Sequence, residues 1–253
     1  VEALDSLVEQ SYRPLEVVVV DDGSTDDTPE VLKDFSNRFT NSDLTFKLLY
    51  TDNQGAQKAR NLGFKESNGA YISFMDSDDL TCNGGFSVLL NTLKVDPSLD
   101  FAYGKVSVVT LDDDNPEFKE RTVGETYSDQ SSSISGYHWH TMGAVYSKAL
   151  LNRVGPWNEE LTGSQDWEFQ GRVKLWAHNR QFSDCLVGYW RQHSGDRVGA
   201  SEFRKDYVDS VIKACFSLWD LSKEHNALST QLQRNLGKKV FRHSLEFGAH
   251  GAP

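Results

Sequence analysis

The sequence predicts an α/β fold: a doubly wound, mostly parallel central sheet followed by a C-terminal helical extension. Three observations lead there. Strand-like and helix-like patterns alternate over the first hundred residues, which implies parallel strands joined by right-handed crossovers. Two of those strands end in aspartates, at Asp21-Asp22 and at Asp76-Ser77-Asp78-Asp79. Beyond residue 200 the strand signals stop and helical periodicity alone remains.

The elements follow in order. Val1, Leu4, Leu7 and Val8 form a helical stripe that runs to Ser11, with no capping residue ahead of Val1. Leu15-Glu-Val-Val-Val-Val-Asp-Asp22 is a β-branched run of the kind buried on both faces of a sheet. It breaks at the two aspartates, and Gly23 permits the sharp exit. Thr28-Pro29 opens a helix, because proline at the first helical position sacrifices no hydrogen bond. Val31, Leu32, Phe35 and Phe39 supply its apolar face. A strand is expected at 46–50 and a helix at 56–67, stopped by Asn68-Gly69. The apolar segment from Tyr71 then runs as a strand into the second acidic tip, and a helix at 86–95 ends at Asp96-Pro97.

Past residue 100 the pattern changes. Residues 101–111 read as a strand or hairpin arm, and the polar stretch Asp112–Ser135 as a long surface loop. A short strand at 142–146 and a short helix at 147–154 end at Gly155-Pro156. An amphipathic helix at 165–177 precedes a strand at 182–190. Two further helices carry Val208, Ile212, Phe216 and Leu221 in one and Leu232, Leu236, Val240 and Leu245 in the other.

Length and charge bound the function. A chain of 253 residues can bury one substantial core with an appendage. Its 26 basic and 37 acidic residues give a net charge of −11, which argues against nucleic acid as a partner. Cys82, Cys185 and Cys215 are odd in number and widely spaced, as expected of a reducing compartment without a disulfide framework. No apolar run approaches the roughly 20 residues that cross a bilayer, and the sequence opens on no signal-peptide pattern. A cytoplasmic location is expected. In the last helix Arg234, Lys238, Lys239 and Arg242 face a single acid, Glu246. A helical hairpin packed on the core or a dimer contact through the C-terminal helices explains this pattern. Peripheral contact with an anionic membrane at its inner face is the other reading.

The acidic tips carry the chemistry. On a strand Asp76 and Asp78 would project to one side about 6 to 7 Å apart, enough to straddle a hard cation and its ligand. A solvated acidic turn would explain the cluster if it stood alone. The second aspartate-tipped strand, delivered to the same sheet edge where open α/β sheets bind ligands, argues against that.

Five segments in order extend the pattern: Ser6-Leu-Val-Glu-Gln-Ser-Tyr12, Val17-Val-Val-Val-Asp-Asp-Gly-Ser-Thr-Asp26, Asn53-Gln-Gly-Ala-Gln-Lys-Ala-Arg-Asn61, Gly69-Ala-Tyr-Ile-Ser-Phe-Met-Asp-Ser-Asp-Asp79, and Asn158-Glu-Glu-Leu with Gln165-Asp166. Together they resemble the family 2 glycosyltransferases of the GT-A fold, over about residues 1 to 195. The resemblance implies a Rossmann-like three-layer sandwich at 1–200, with a nucleotide-binding half at about 1–100 and an acceptor-binding half at about 101–200. Residues 201–253 would be the helical extension. It implies an inverting transferase that moves a sugar from a nucleoside-diphosphate donor, with UDP expected, to a hydroxyl of a glycan, lipid-linked or protein acceptor. Mn²⁺ or Mg²⁺ is the implied cofactor, and polysaccharide or cell-envelope assembly the implied setting. The family also places a strand before the first helix, so the sequence is expected to be a piece of a longer product.

Residue roles carry over position by position. By resemblance, Asp78 binds the metal, and Asp76 contacts the donor ribose or the metal. Asp79 holds the turn through nearby backbone. Asp22 recognises the base through its ring N–H, while Asp21 caps the Gly23-Ser24-Thr25 turn. Asn53 and Arg60 line the nucleotide pocket. Asp166 is the general base, although a family Glu-Asp pair here reads Gln165-Asp166, and Thr162 with Gln165 also fits a capping box. His193 would complete the metal shell and Arg191 would bind diphosphate. Trp139 and Trp167 would stack on the acceptor. His138 and His140 lie two apart on a strand, but no second pair makes a zinc site. Two alternatives stay open: a non-catalytic nucleotide-sugar-binding or scaffold domain, and a sugar nucleotidyltransferase, which would want a Gly-rich basic loop near the N-terminus.

Overall fold

The computed structural model describes residues 1–38, 43–112, 115–123, 134–136, 139–192 and 205–250. The chain forms two compact units. The first comprises residues 1–125, 139–156 and 179–193, and the second residues 126–138, 157–178 and 194–253.

The first unit begins with α1 (Glu2–Val8), β1 (Leu15–Asp22), α2 (Thr28–Arg38), β2 (Leu44–Thr51) and α3 (Ala56–Glu66). β1 and β2 pair in parallel, from Leu15 opposite Leu44 to Asp22 opposite Thr51. The sequence-based order of strand and helix is therefore met through residue 66. Phe39, expected to close the apolar face of α2, lies outside the described residues.

β3 (Tyr71–Ile72) and β4 (Leu80–Thr81) flank the acidic segment, and α4 (Gly85–Val95) follows. β5 (Phe101–Asp112) and β6 (Asn115–Val123) come next. β7 (Ala144–Ser147), α5 (Lys148–Val154) and β8 (Arg180–Gln192) complete the unit. The second sheet has the order β3-β7-β5-β8-β4, with β6 added on β5. β5 and β8 run parallel. The other pairings are antiparallel, so the mostly parallel arrangement expected from the sequence holds for β1–β2 and β5–β8. The architecture remains a mixed α/β fold with a central sheet.

Two local expectations are corrected. The polar stretch 112–135 contains β6, which returns directly along β5 as a hairpin arm. Its proline and its charged residues disguise it, and both are features that edge strands tolerate. The segment after Tyr71 is extended for two residues, and Ser77-Asp78 forms a turn. The alternation that set Asp76 and Asp78 on one strand face is therefore not the geometry that gathers them.

The core under this sheet is made by α4. Leu89 and Leu93 on its buried face meet Val106 of β5, Met142 and Val187 of β8. Gly188 of β8 is required by close approach, since a Cβ there would lie 2.3 Å from the Leu80 carbonyl oxygen. β4 is thereby seated against β8 immediately after the acidic turn.

The second unit is built from α6 (Gln165–Trp176), α7 (Lys205–Glu224) and α8 (Thr230–His250). Trp167, Val211, Leu218, Leu232 and Leu236 share one core, so the last two helices pack with the segment that carries Asp166. Gly171 of α6 admits Leu218, whose Cδ2 would lie 2.6 Å from a Cβ there. α6 is buried from Trp167 through Lys174 rather than amphipathic. Its buried cations have partners: Arg172 Nε donates to Glu168 Oε1 at 2.8 Å within the helix, and Lys174 Nζ donates to the Gly136 carbonyl at 2.7 Å. The buried stripe of α7 is Val208, Val211, Cys215 and Leu218, offset from the expected one, and Phe216 is exposed.

Candidate functional site

The end of β1 is fastened to the entrance of α3. Asp22 Oδ1 accepts from Thr51 Oγ1 at 3.0 Å and from the Gln54 amide at 2.9 Å, while Oδ2 accepts from the Gly55 amide at 2.6 Å. A carboxylate has about four acceptor positions, so capacity is left for one more donor. Asp21 is buried and its Oδ1 accepts from the Ser24 amide at 2.9 Å, the turn-capping role expected of it. Gly23 has φ +78°, and a Cβ there would stand 2.6 Å from the Asn53 amide nitrogen. Only glycine lets these two loops touch. Asn53 is exposed beside that contact.

α3 then links this loop to the acidic turn. Arg60 Nη2 donates to Asp76 Oδ1 at 2.5 Å. The resemblance places Arg60 in the nucleotide pocket and Asp76 at the donor ribose or the metal; the structure brings the two together. The turn closes where the Asp79 amide donates to the Asp76 carbonyl at 3.3 Å. Asp78, at its tip, is exposed.

Asp79 pins the turn to β8. It is 1% exposed, and its Oδ1 accepts from the Arg191 amide at 3.1 Å. Arg191 reaches back over the turn: its Nε donates to the Asp78 carbonyl and its Nη1 to the Glu2 carboxylate. The guanidinium expected to hold a diphosphate is thus committed to the chain itself, and engaging a phosphate would mean exchanging Glu2 for it. Burial, then the negative charge of Asp76, pushes the Asp79 carboxyl up to about 7.

One neighbour of this turn, His140, is read in the sequence only as half of a His pair that makes no zinc site. His140 Nδ1 lies 3.8 Å from Asp79 Oδ2, and its ring packs on Trp190 with centroids 5.1 Å apart. Burial pushes the imidazole down, opposed by the charges of Asp76 and Asp78. The signal was weak because a His two residues from another suggests a zinc pair; His138 and His193 both lie outside the described residues.

The acceptor assignments to Trp139 and Trp167 are corrected by burial. Trp139 is 1% exposed. Its Nε1 donates to Tyr146 Oη at 2.7 Å, and its ring sits 4.9 Å from Phe101 and 5.4 Å from Tyr103. Trp167 is 2% exposed, donates to the Ser135 carbonyl at 3.1 Å and has Lys239 Nζ 4.3 Å over its ring. Neither ring offers a face to a sugar. Both are core aromatics with satisfied N–H groups.

Asp166 stands in the first turn of α6, partly exposed, with Oδ1 accepting from the Trp167 amide at 2.9 Å. The capping box does not form. Ser164, at φ 54°, is the N-cap but its side chain makes no capping bond, and Thr162 Oγ1 donates to the Asp206 carbonyl at 3.2 Å instead. Asp166 therefore helps its own helix start.

Among the described residues no group of three His, Cys, Asp or Glu side chains is arranged to hold a metal ion. The donors that are gathered still suit a hard divalent cation. Asp76 and Asp78 offer oxygen ligands, and such ions commonly take one or two carboxylates and fill the remaining positions with phosphate oxygens and water. Burial raises the Asp79 carboxyl first and the charges of Asp76 and Asp78 add to it, and a cation would relieve that second part.

Comparison with known proteins identifies the family and the fold. The family description Glycosyl transferase family 2 matches residues 1–155. The glycosyltransferase GlyA of Streptococcus pneumoniae is 31% identical over 176 residues, covering 69% of this chain and 21% of that protein. EpsH of Bacillus subtilis, which carries a provisional glycosyltransferase name, is 24% identical over 95% of this chain and 70% of its own length. An uncharacterized glycosyltransferase of Rickettsia bellii is 32% identical over 114 residues, and this stretch spans 15% of that protein. The chain thus covers a minor part of some relatives it matches. Among solved structures, TarS 1–349 of S. aureus in complex with UDP-GlcNAc has a TM-score of 0.67 at 21% identity, over 98% of this chain and 68% of that one. The mannosyltransferase PcManGT of Pyrobaculum calidifontis, in complex with GDP-Man and Mn²⁺, has a TM-score of 0.62 at 18% identity, over 100% and 72%. These two likenesses establish the fold. The chain belongs to glycosyl transferase family 2.

Proposed function

We propose that this family 2 member is an inverting, metal-dependent glycosyltransferase that moves a sugar from a nucleoside-diphosphate donor to an acceptor hydroxyl. The observation that carries the reading is the acidic turn itself: Asp76, Asp78 and the buried Asp79 gathered in four residues, braced by Arg60 and pinned to β8. The UDP-GlcNAc complex of TarS and the Mn²⁺ complex of PcManGT support a sugar nucleotide and a divalent cation as what such a turn meets.

Each residue has a task in this reading. A bound Mn²⁺ or Mg²⁺ would neutralise the departing diphosphate. Asp78 holds that cation, and Asp76 binds it or the donor ribose while Arg60 orients its carboxylate. Asp22, with one acceptor position left, takes the ring N–H of the base, with uracil expected. Asn53 borders the same loop. Arg191 exchanges Glu2 for a diphosphate oxygen, and His193 joins the cation. Asp166 removes the acceptor proton as the new glycosidic bond forms, a contribution of about 10²- to 10⁴-fold in enzymes generally.

The acceptor is a glycan, lipid-linked or protein hydroxyl, in polysaccharide or envelope assembly within the cytoplasm. No helix among the described residues is long and apolar enough to cross a membrane. The exposed stripe of α8 carries Arg234, Lys238, Phe241 and Leu245, the last two 66% and 56% exposed, which suits the inner face of an anionic bilayer or a second copy. Flotation with phosphatidylglycerol vesicles that Phe241→Ser abolishes supports the bilayer; unchanged flotation removes it.

The test of the activity is UDP release. Purified protein incubated with UDP-sugars, Mn²⁺ and a glycan acceptor should release UDP in step with acceptor modification. UTP formed from UDP-sugar and pyrophosphate would instead indicate a nucleotidyltransferase, and binding without turnover a scaffold.

A further inference from the structure

We propose that His140 is a positioning residue for the acidic turn: it holds Asp79, and through Asp79 the Asp76–Asp78 segment, in the geometry that receives the cation and diphosphate. The inference rests on the proposed donor site, and it concerns a residue to which that reading gives no task.

Two orphaned atoms motivate it. Asp79 Oδ2 and His140 Nδ1 are both buried without a hydrogen-bond partner, and they face each other across 3.8 Å. Burying an unsatisfied polar atom is costly, so a facing pair of them invites a function. The gap is about 1 Å longer than an ordinary N–H···O hydrogen bond, a difference that a small side-chain rotation closes. His140 is 8% exposed and Asp79 1% exposed, so the contact between them is shielded from water. Shielding strengthens a hydrogen bond to a carboxylate relative to its worth in water.

The surroundings give the pair its direction. The His140 carbonyl accepts from the Gly143 amide at 2.8 Å, which fixes the backbone at the start of the short 3₁₀ turn Thr141–Gly143. Its ring is seated on Trp190, one residue before Arg191. Asp79 gives its other oxygen to the Arg191 amide, and Arg191 spans back to the Asp78 carbonyl. The acidic turn is therefore anchored at one side by β8 and at the other by the imidazole. With the His140 N–H donating to Oδ2, both Asp79 oxygens are fixed and the carboxylates of Asp76 and Asp78 are presented toward solvent and ligand. Losing that donor leaves Asp79 Oδ2 buried and unmatched, and frees the turn to reorient.

Two substitutions separate positioning from packing. His140→Phe keeps a ring against Trp190 and deletes the donor; His140→Asn restores a donor near Nδ1 and deletes the ring. Calorimetric titration of UDP with Mn²⁺ should show the Phe variant binding about tenfold more weakly than wild type, as loss of a buried hydrogen bond predicts. The Asn variant should stay within about threefold of wild type. A Phe variant that binds as wild type overturns the proposal, as does an Asn variant as impaired as Phe. If wild type itself binds no UDP with Mn²⁺, the donor site fails, and a ligand-free cycle decides the pair. Urea unfolding of His140→Phe, Asp79→Asn and the double variant should be non-additive by at least about twofold in the unfolding constant. Strict additivity would overturn the pairing.

Discussion

Arg60 and Asp76 are joined at 2.5 Å between Nη2 and Oδ1, so the second turn of α3 is tied directly to the acidic turn after β3. The same helix begins where Asp22 gathers the amides of Gln54 and Gly55. One helix thereby connects the aspartate tip of β1 to the acidic turn. Replacing Arg60 by Ala should weaken binding of UDP with Mn²⁺ by about fivefold, the pair being discounted for the exposure of Asp76. Arg60→Lys should recover part of it, since charge returns without the planar fork. Calorimetry on both variants checks this, and an Ala variant with wild-type affinity would remove Arg60 from the site.

Burial of Trp139 predicts an effect on stability. Trp139→Ala should destabilise the protein by about 3 to 5 kcal/mol, because it empties an aromatic core and leaves Tyr146 Oη without its donor. Chemical denaturation measures this directly. A variant of wild-type stability with lost acceptor affinity would return Trp139 to the acceptor side.

The raised Asp79 carboxyl has a pH consequence. Its folded-state value of about 7 lies above the ordinary 3.8, so between those values the folded state keeps a proton that the unfolded chain releases. This contribution to stability is complete below the ordinary value and is lost as pH rises toward 7. In chelator-treated protein, thermal unfolding of wild type should weaken over that window relative to Asp79→Asn. Parallel pH profiles for the two proteins would show that the Asp79 charge is not what the fold resists.

Asp166→Asn should reduce transfer by about 10²- to 10⁴-fold while leaving binding of UDP with Mn²⁺ within about threefold of wild type. Single-turnover transfer and calorimetry together make the comparison. Wild-type turnover in the Asn variant would place the base elsewhere.

The alternating pattern through residue 66 was legible because each element announces itself locally, by Val-rich runs, Pro29 and the Asn68-Gly69 stop. The roles of Asp21 and Asp79 in holding turns were legible too, since a buried Asp beside a turn has backbone amides to satisfy. Directions in the second sheet were not. β3 and β4 are two residues each, too short for periodicity to register, and β6 hides under charge. The tryptophans misled because an indole in a helix or beside a strand reads alike whether it faces a core or a ligand. The pairing of His140 with Asp79 was not legible for a related reason: Asp79 lies 61 positions earlier in the chain, and nothing local marks the pair.

The central claim is that the acidic turn binds a divalent cation together with a nucleoside diphosphate. Isothermal titration of UDP, with and without Mn²⁺, into wild type and Asp78→Asn tests it most directly. Because Asp78 is exposed, the variant should melt with the wild type. The account predicts UDP binding that Mn²⁺ strengthens at least about tenfold in wild type and leaves unchanged in the variant. Equal binding by both proteins, or none that responds to Mn²⁺, would contradict it.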